Sequence, residues 1–408
     1  MKTINGYFDI FYPERMMAAG HASDKELRFG YKGTIEVNFI VFLSDIKDIY
    51  LIQIDTLFVD IPFKIEIEEE LKRVGIKIDV ICVASHSHSL PGIDLCKPEL
   101  GACNSDYRNF LKEKIVKNIK EAIINEGLTE VSFSRFKKYS WLSIGRRGSR
   151  SKNNFSLLRL RNTVPDFSNL GAYIEITCFW DRNKSRIFAI IWTFPAHPVL
   201  NPNEREFSAD FPGCVRDLLR EELGDKSLTV LYFPGCAGDM RPLIKAQTAQ
   251  KTLLDFIVGQ SFKKCNANDF KKYCVSLKAD LIECMENNKN DEKEKSLKLV
   301  DYQKKKIPLE KIGLRSESCK FLRVELIKFN NISSFAFLNC EPSHAYHDLF
   351  ENDCTVTGYS SGVFGYLPTD EQINQGGYEV TGFLSFFGTS GCFVRGIRKI
   401  IKDECIIN

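Results

Sequence analysis

The chain has no CxxC pair, no apolar run long enough to cross a bilayer and little net charge, and each absence removes a class of protein. Its 14 cysteines are scattered, so neither a paired zinc-ribbon spacing nor a thioredoxin-type redox motif is present. Cys82, Cys178 and Cys340 sit inside apolar runs, which reads as reduced, buried thiols rather than a disulfide framework. The longest apolar stretches, such as residues 187–199, are too short for a membrane helix and are interrupted by Pro195 and His197. The opening residues, MKTINGYFDIFYPERMM, lack the apolar core and small-residue cleavage site of a secretory signal. These absences predict a cytoplasmic protein with no stable membrane insertion. A net charge of +3, from 56 basic and 53 acidic residues with no basic block, speaks against a nucleic-acid partner.

What is present is a globular composition, with 44% hydrophobic and 27% charged residues, over a length that suits one large unit or two ordinary ones. Three β-branched and aromatic runs, 33–43, 49–59 and 78–85, predict strands inside a sheet. Asn104, Ser105 and Asp106 then offer an N-cap for a helix whose apolar positions Phe110, Ile115, Ile119, Ala122 and Ile123 recur at helical spacing until Gly127. The middle repeats the theme, with strands expected at 156–161, 172–180, 186–194 and 228–234 and a helix opening after Pro212 and Gly213. No internal repeat is evident. Helical patterns at 245–262 and 267–286 precede a charged stretch, NNKNDEKEKSLK, too poor in apolar residues to anchor itself. A strand region at 320–340, a glycine-rich segment at 358–386 and an amphipathic helix at 393–402 close the chain. Strands on both sides of the charged stretch favour a single α/β unit spanning 1–408, of mixed β-sheets flanked by helices, with a helical insertion and connector at about 245–306.

Six histidines allow each to be weighed. The run IDVICVAS delivers His86 and His88 at its C-terminal end, and in an extended backbone residues two apart point to one side. That suits a metal ligand beside a second catalytic group, and a serine-rich surface turn is the plainer alternative. His197, between two prolines, follows the strand RIFAIIWTF, again at a strand exit. Glu341 ends the apolar run SSFAFLNCEP, where a carboxylate needs a cation or donors if buried. Tyr359, Tyr366 and Tyr378 add phenols within the glycine-rich segment.

The order HSHSLPG, WTFPAHP, SADFPG, PGCAGDMRP, CEP, GYLPT and GGYE resembles the series running through the neutral, non-lysosomal ceramidases, over most of residues 16–400. The resemblance implies the catalytic-domain fold of that family and a zinc ion held by His86, His197, Glu341 and Tyr366. It also implies a catalytic role for His88, and one for Tyr378, twelve positions after Tyr366. An arginine of the family that binds the substrate oxygen maps to Arg146 in IGRRGS, with Arg147 as the alternative. Asp55 matches an aspartate on a core strand that orients a ligand histidine, and a capped strand end is the other reading.

The activity implied is hydrolysis of a linear amide by a metal-activated water, with Tyr378 and Arg146 at the oxyanion and His88 handling the proton of the departing amine. A metal-dependent esterase, an amide-forming enzyme and a non-catalytic binding homologue remain as alternatives on the same fold. Two departures bear on the substrate. The family's Gly-Asp-Val-Ser-Pro reads Gly238-Asp239-Met240-Arg241-Pro242, placing a guanidinium where a serine stood. The length predicts a chain without the C-terminal β-sandwich domain of secreted ceramidases. Both favour a small, soluble, anionic N-acyl compound, bound by Arg241, over ceramide.

Overall fold

The computed structural model describes residues 1–20, 27–45, 47–72, 78–125, 127–147, 170–183, 186–203, 205–244, 265–286, 297–330, 333–350 and 353–405. The strand expected at 156–161, the helix expected at 245–262 and nearly all of the charged connector lie outside the described residues.

Strands β1 (Lys2–Asp9), β2 (Glu36–Leu43) and β3 (Asp48–Ile54) run antiparallel, and helix α1 (Ile61–Lys72) returns the chain so that β4 (Ile78–Ala84) lies parallel to β3. After helix α2 (Ser105–Asn125) the same sequence of elements recurs. Strands β5 (Thr129–Gly145), β6 (Leu170–Asp181) and β7 (Arg186–Thr193) are antiparallel, and helix α3 (Asp210–Glu222) leads to β8 (Thr229–Phe233), parallel to β7. The two sets join edge to edge through β1 and β5, giving the order β8-β7-β6-β5-β1-β2-β3-β4, with β9 (Met240–Pro242) added on β5.

Both faces of this sheet are covered, which is why β4 is apolar except for Asp79 and every residue in it is buried. One face carries the helices. Ile67 and Leu71 of α1 and Leu111, Ile115 and Ile119 of α2 pack on Ile52, Val80 and Cys82, while Phe211, Val215 and Leu219 of α3 pack on Trp192 and Tyr232. Helix α4 (Ala267–Glu286), at its expected place, adds Tyr273, Leu277 and Leu281 to the second cluster. The other face meets a four-stranded sheet of β10 (Leu299–Pro308), β11 (Phe321–Phe329), β12 (Ser333–Leu338) and, after the two-residue β13 (Glu341–Pro342), β14 (Cys354–Thr357). Phe329, Phe335 and Phe337 from that sheet interleave with Phe42, Phe133, Phe179 and Phe233. Each such ring removed from water contributes roughly 2–3 kcal/mol. The far side of the second sheet is closed by Phe364, Phe383, Phe387 and helix α5 (Ile397–Cys405).

The expected strands and helices stand near their predicted positions, with informative differences. Asn104 caps α2 by accepting the Tyr107 N–H at 2.9 Å. The second predicted strand ends at Ile54 because Asp55 turns into buried polar contacts. Helix α3 opens at Asp210, before Pro212 and Gly213, since a first-turn proline sacrifices no helical hydrogen bond. The last helix begins only at Ile397, after Gly396 in a left-handed conformation. Strands β1 and β5 carry too many polar residues to register as apolar runs.

Candidate metal centre

The C-terminal ends of the two parallel strand pairs point at one place. His86 follows β4 by two residues and His197 follows β7 by four, and the main-chain N–H of His88 donates to the Pro198 carbonyl at 3.2 Å, tying the two loops together. His86 is not extended, as its spacing from His88 suggested, but left-handed, with φ +63. The kink nevertheless brings the Nε2 atoms of His86 and His88 to 3.3 Å. Gly20, at φ +108, lies so close under the His88 ring that a Cβ there would meet Nδ1 at 2.5 Å.

Glu341 arrives from the second sheet. Strand β13 pairs in parallel with β15 (Tyr366–Leu367), which sets Glu341 beside Tyr366. Gly238 packs against the Glu341 backbone, where a Cβ would meet the Glu341 carbonyl oxygen at 2.5 Å. The Glu341 Oε2 atom then lies 3.2 Å from His197 Nε2 and 3.5 Å from His86 Nε2.

The tautomers follow from the partners. His86 Nδ1 faces the Leu57 carbonyl at 3.2 Å and His197 Nδ1 faces the Met240 carbonyl at 3.0 Å; a carbonyl only accepts, so both protons sit on Nδ1. Each Nε2 therefore turns a lone pair toward a carboxylate oxygen. Burial pushes the His86 imidazole down to about 3, and burial together with the charge of Arg146 holds His197 well below the usual histidine range, so both rings are neutral. Burial raises Glu341, against the attraction of His86 and Arg146. Tyr359 and Tyr366 both hydrogen-bond its carboxylate, Tyr359 at 3.4 Å, which is the donor set of an ionised group. His86, His197 and Glu341 are 1–2% exposed. Acceptors that converge in a buried site fit a cation, and two imidazoles with a carboxylate and a phenol are a donor set that suits zinc. His86, His88 and His197 also form a metal-capable triad in their own right, with ligand atoms within 4.8 Å of one another.

The remaining predicted residues are distributed as follows. Arg146 lies over the Tyr366 ring with its guanidinium carbon 5.7 Å from the centroid, donates to the Gly238 carbonyl and pairs with Glu379 at 3.4 Å. Arg147 faces the other Glu379 oxygen at 3.0 Å. Tyr378 packs its ring 5.6 Å from that of Tyr366. Arg241 is half-buried on β9, and burial and the charge of Arg146 lower it to about 10. Asp55 requires a correction: it does not orient a histidine. Its carboxylate accepts from Glu36 N–H at 2.8 Å, Gln53 at 2.9 Å and Arg216 at 2.9 Å, because the two Nδ1 positions belong to backbone carbonyls.

Two residues went without a role in the sequence. Tyr359 packs its ring tilted against His86 with centroids 4.4 Å apart, also at a left-handed φ of +63. Its segment caps the edge of β4, where Ala84 N–H donates to Tyr359 and Ser361 N–H to Cys82. The preceding glycine is its only signal, since a side chain at 358 would collide with Cys340 and Pro342. Asp210, in SADFPG, accepts from Leu200 and Asn201 N–H at 2.8 and 2.7 Å and so holds the loop that leaves His197. Beside the cluster, a small, partly open cleft is lined by Ala19, Leu57, Phe58, Ile93, Lys97 and Leu100, and Phe58 forms the wall it shares with His86, 4.9 Å between rings. A second acidic group, Asp60, Asp94 and Cys96, is chemically different: Arg108, Lys97 and the amides of Phe63, Leu95 and Cys96 already occupy its carboxylates.

The molecule is thus a mixed-sheet α/β protein with a buried histidine–carboxylate cluster at the strand exits. No protein-family model and no curated protein matches the chain. Solved structures do. A neutral ceramidase from Pseudomonas aeruginosa superposes with a TM-score of 0.67 at 14% identity, over 93% of this chain and 70% of that one. A ceramidase complexed with C2 superposes with a TM-score of 0.70 at 13% identity, over 96% and 72%. The chain has a neutral-ceramidase-like fold.

Proposed function

We propose that the protein is a zinc-dependent amidohydrolase that cleaves a linear N-acyl amide to a carboxylic acid and an amine. The observation that carries this reading is the convergence of His86 Nε2 and His197 Nε2 on Glu341 Oε2, at 3.5 and 3.2 Å, in a buried site. His86, His197, Glu341 and Tyr366 would hold the metal. When bound, zinc supplies Lewis-acid polarisation and lowers the pKa of water toward about 7. His88, half-buried where the others are buried, holds or releases a proton at Nε2 and passes it to the departing nitrogen. Arg146 and Tyr378 direct donors at the oxygen of the scissile carbonyl.

The substrate we favour is a soluble, anionic N-acyl amine or amino acid rather than ceramide. Arg241 on β9, beside Arg146, supports this, because a half-buried guanidinium already opposed by a like charge gains most from an added anion. All 14 cysteines are free thiols, which supports a reducing, cytoplasmic setting.

The test is metal analysis by elemental mass spectrometry, with amine release measured over N-acyl amino acids, short ceramides and matched esters. One zinc per chain, lost in His86→Ala and Glu341→Ala together with amine release, supports the reading. A wild type that takes up no zinc sinks it. Arg241→Ser is expected to raise KM for anionic substrates about tenfold and to leave neutral ones unchanged; equal effects on both would remove the anion from the reading.

A further inference from the structure

The segments that carry the proposed ligands come from distant parts of the chain, and one side chain bonds to two of them. Asp239 follows β8 in the loop PGCAGD. Its Oδ1 accepts the His344 N–H at 2.7 Å, and its Oδ2 accepts the Ser343 hydroxyl at 2.8 Å and the Gln372 amide at 2.6 Å. Ser343 and His344 lie two and three residues after Glu341. Gln372 lies six after Tyr366, in the short helix Asp370–Gln375, where it completes a capping box with Thr369. The main chain of the same loop serves the other parts. The Asp239 carbonyl accepts the Arg146 N–H at 2.6 Å, the Met240 carbonyl holds His197 Nδ1, and the Gly238 N–H donates to the Pro342 carbonyl at 2.8 Å.

We infer that Asp239 is a positioning residue for the metal centre: its carboxylate clamps the Glu341 and Tyr366 segments onto the loop whose backbone orients His197 and Arg146. It touches neither the cluster nor, by its side chain, Arg146, so it acts through Ser343, His344 and Gln372. Three neutral donors on one carboxylate are stronger than three on a neutral amide, and a neutral replacement that also presents donors opposes two of them. This rests on the metal-centre reading above, and the experiment separates the two.

Zinc affinity is measured by chelator competition on full-length wild type, Asp239→Asn, Gln372→Glu and the double variant, with the melting temperature of each chelated protein alongside. Asp239→Asn is expected to weaken zinc about 10–100-fold, the range for a lost outer partner. Gln372→Glu keeps the capping box, since glutamate is the usual residue there, but sets a second carboxylate against Asp239, and it is expected to weaken zinc similarly. The double variant reverses donor and acceptor, and is expected to regain at least half of the logarithmic loss of either single change. Equal affinity in wild type and both single variants overturns the inference, as does a double variant whose losses simply add. If Asp239→Asn does not fold, Gln372→Glu alone decides: unchanged zinc affinity overturns the clamp, and a loss confined to zinc with an unaltered melting temperature supports it. A wild type without zinc affinity overturns the metal-centre reading, and with it the clamp.

Discussion

The two halves of the large sheet share an order of elements and differ in how they hold their histidine. In each, three antiparallel strands are followed by a helix and a fourth strand parallel to the third. In the first half, His86 follows the fourth strand and its Nδ1 is held by Leu57, in the loop after the third. In the second half, His197 follows the third strand and its Nδ1 is held by Met240, beyond the fourth. The roles of the two loops are exchanged. What the halves have in common is therefore a place, the C-terminal ends of a parallel strand pair, and not a motif. Strand alternation alone is conveyed by such a likeness, which is why no repeat is visible in the amino-acid order.

The halves are also joined unevenly. Strands β1 and β5 pair only at Lys2 with Glu130 and Thr3 with Thr129. The deeper link is ionic. Arg216 and Arg220 of α3, in the second half, reach across to Asp55 and Glu36 of the first, Arg216 at 2.9 and 3.0 Å and Arg220 at 2.5 Å. These groups are almost wholly buried, so each charge depends on its partners.

Four measurements break or sharpen this comparison. The largest effect is expected for Glu341→Gln, because that carboxylate is shared by the histidines of both halves: zinc affinity should fall by more than the 10–100-fold typical of an outer partner, with amine release lost. Retained affinity would make His86, His88 and His197 the metal triad instead. Next, His86→Ala and His197→Ala should weaken zinc to within about tenfold of each other if the exchanged loops are equivalent supports; a large inequality would show that one half dominates.

Third, Arg216→Met strands Asp55 and Glu36 without one cation and is expected to cost about 3–5 kcal/mol in urea unfolding, while zinc affinity stays within a few-fold. A parallel loss of zinc would mean that the ionic link sets the site as well as the fold. The smallest effect concerns Asp210. Burial raises its carboxyl to about 6 from 3.8, so between those values the folded chain holds a proton that the unfolded chain releases. Its contribution is fully present below about pH 4 and is lost as pH rises through 6, about 3 kcal/mol in all. The stability difference between Asp210→Asn and wild type should change by that amount from pH 4 to 7, and a constant difference would remove Asp210 as the source.

Much of the scaffold was legible because its signals are local. Runs of β-branched residues marked β2, β3, β4 and β7, and Asn104 announced α2. His86, His197 and Glu341 were legible as polar groups at the ends of apolar strands, where burial has to be compensated. Asp55 looked the same by that criterion and serves the ionic link instead, since a strand-end carboxylate says that a partner exists and not which one. Tyr359 was legible only as one phenol among three, and Asp239 only as part of a motif, neither with a role. The groups they touch lie more than a hundred residues away in most cases, and nothing in their own neighbourhoods distinguishes them from turn residues.

The amino-acid order by itself determined what depends on neighbours: periodicity, caps, strand ends and the small set of residues with metal-binding chemistry. Tertiary structure decided everything that depends on which surfaces meet. It turned two histidines so that their Nδ1 protons are taken by Leu57 and Met240, left both Nε2 lone pairs facing Glu341, and buried all three groups together. A lone pair has no direction until the chain around it has packed.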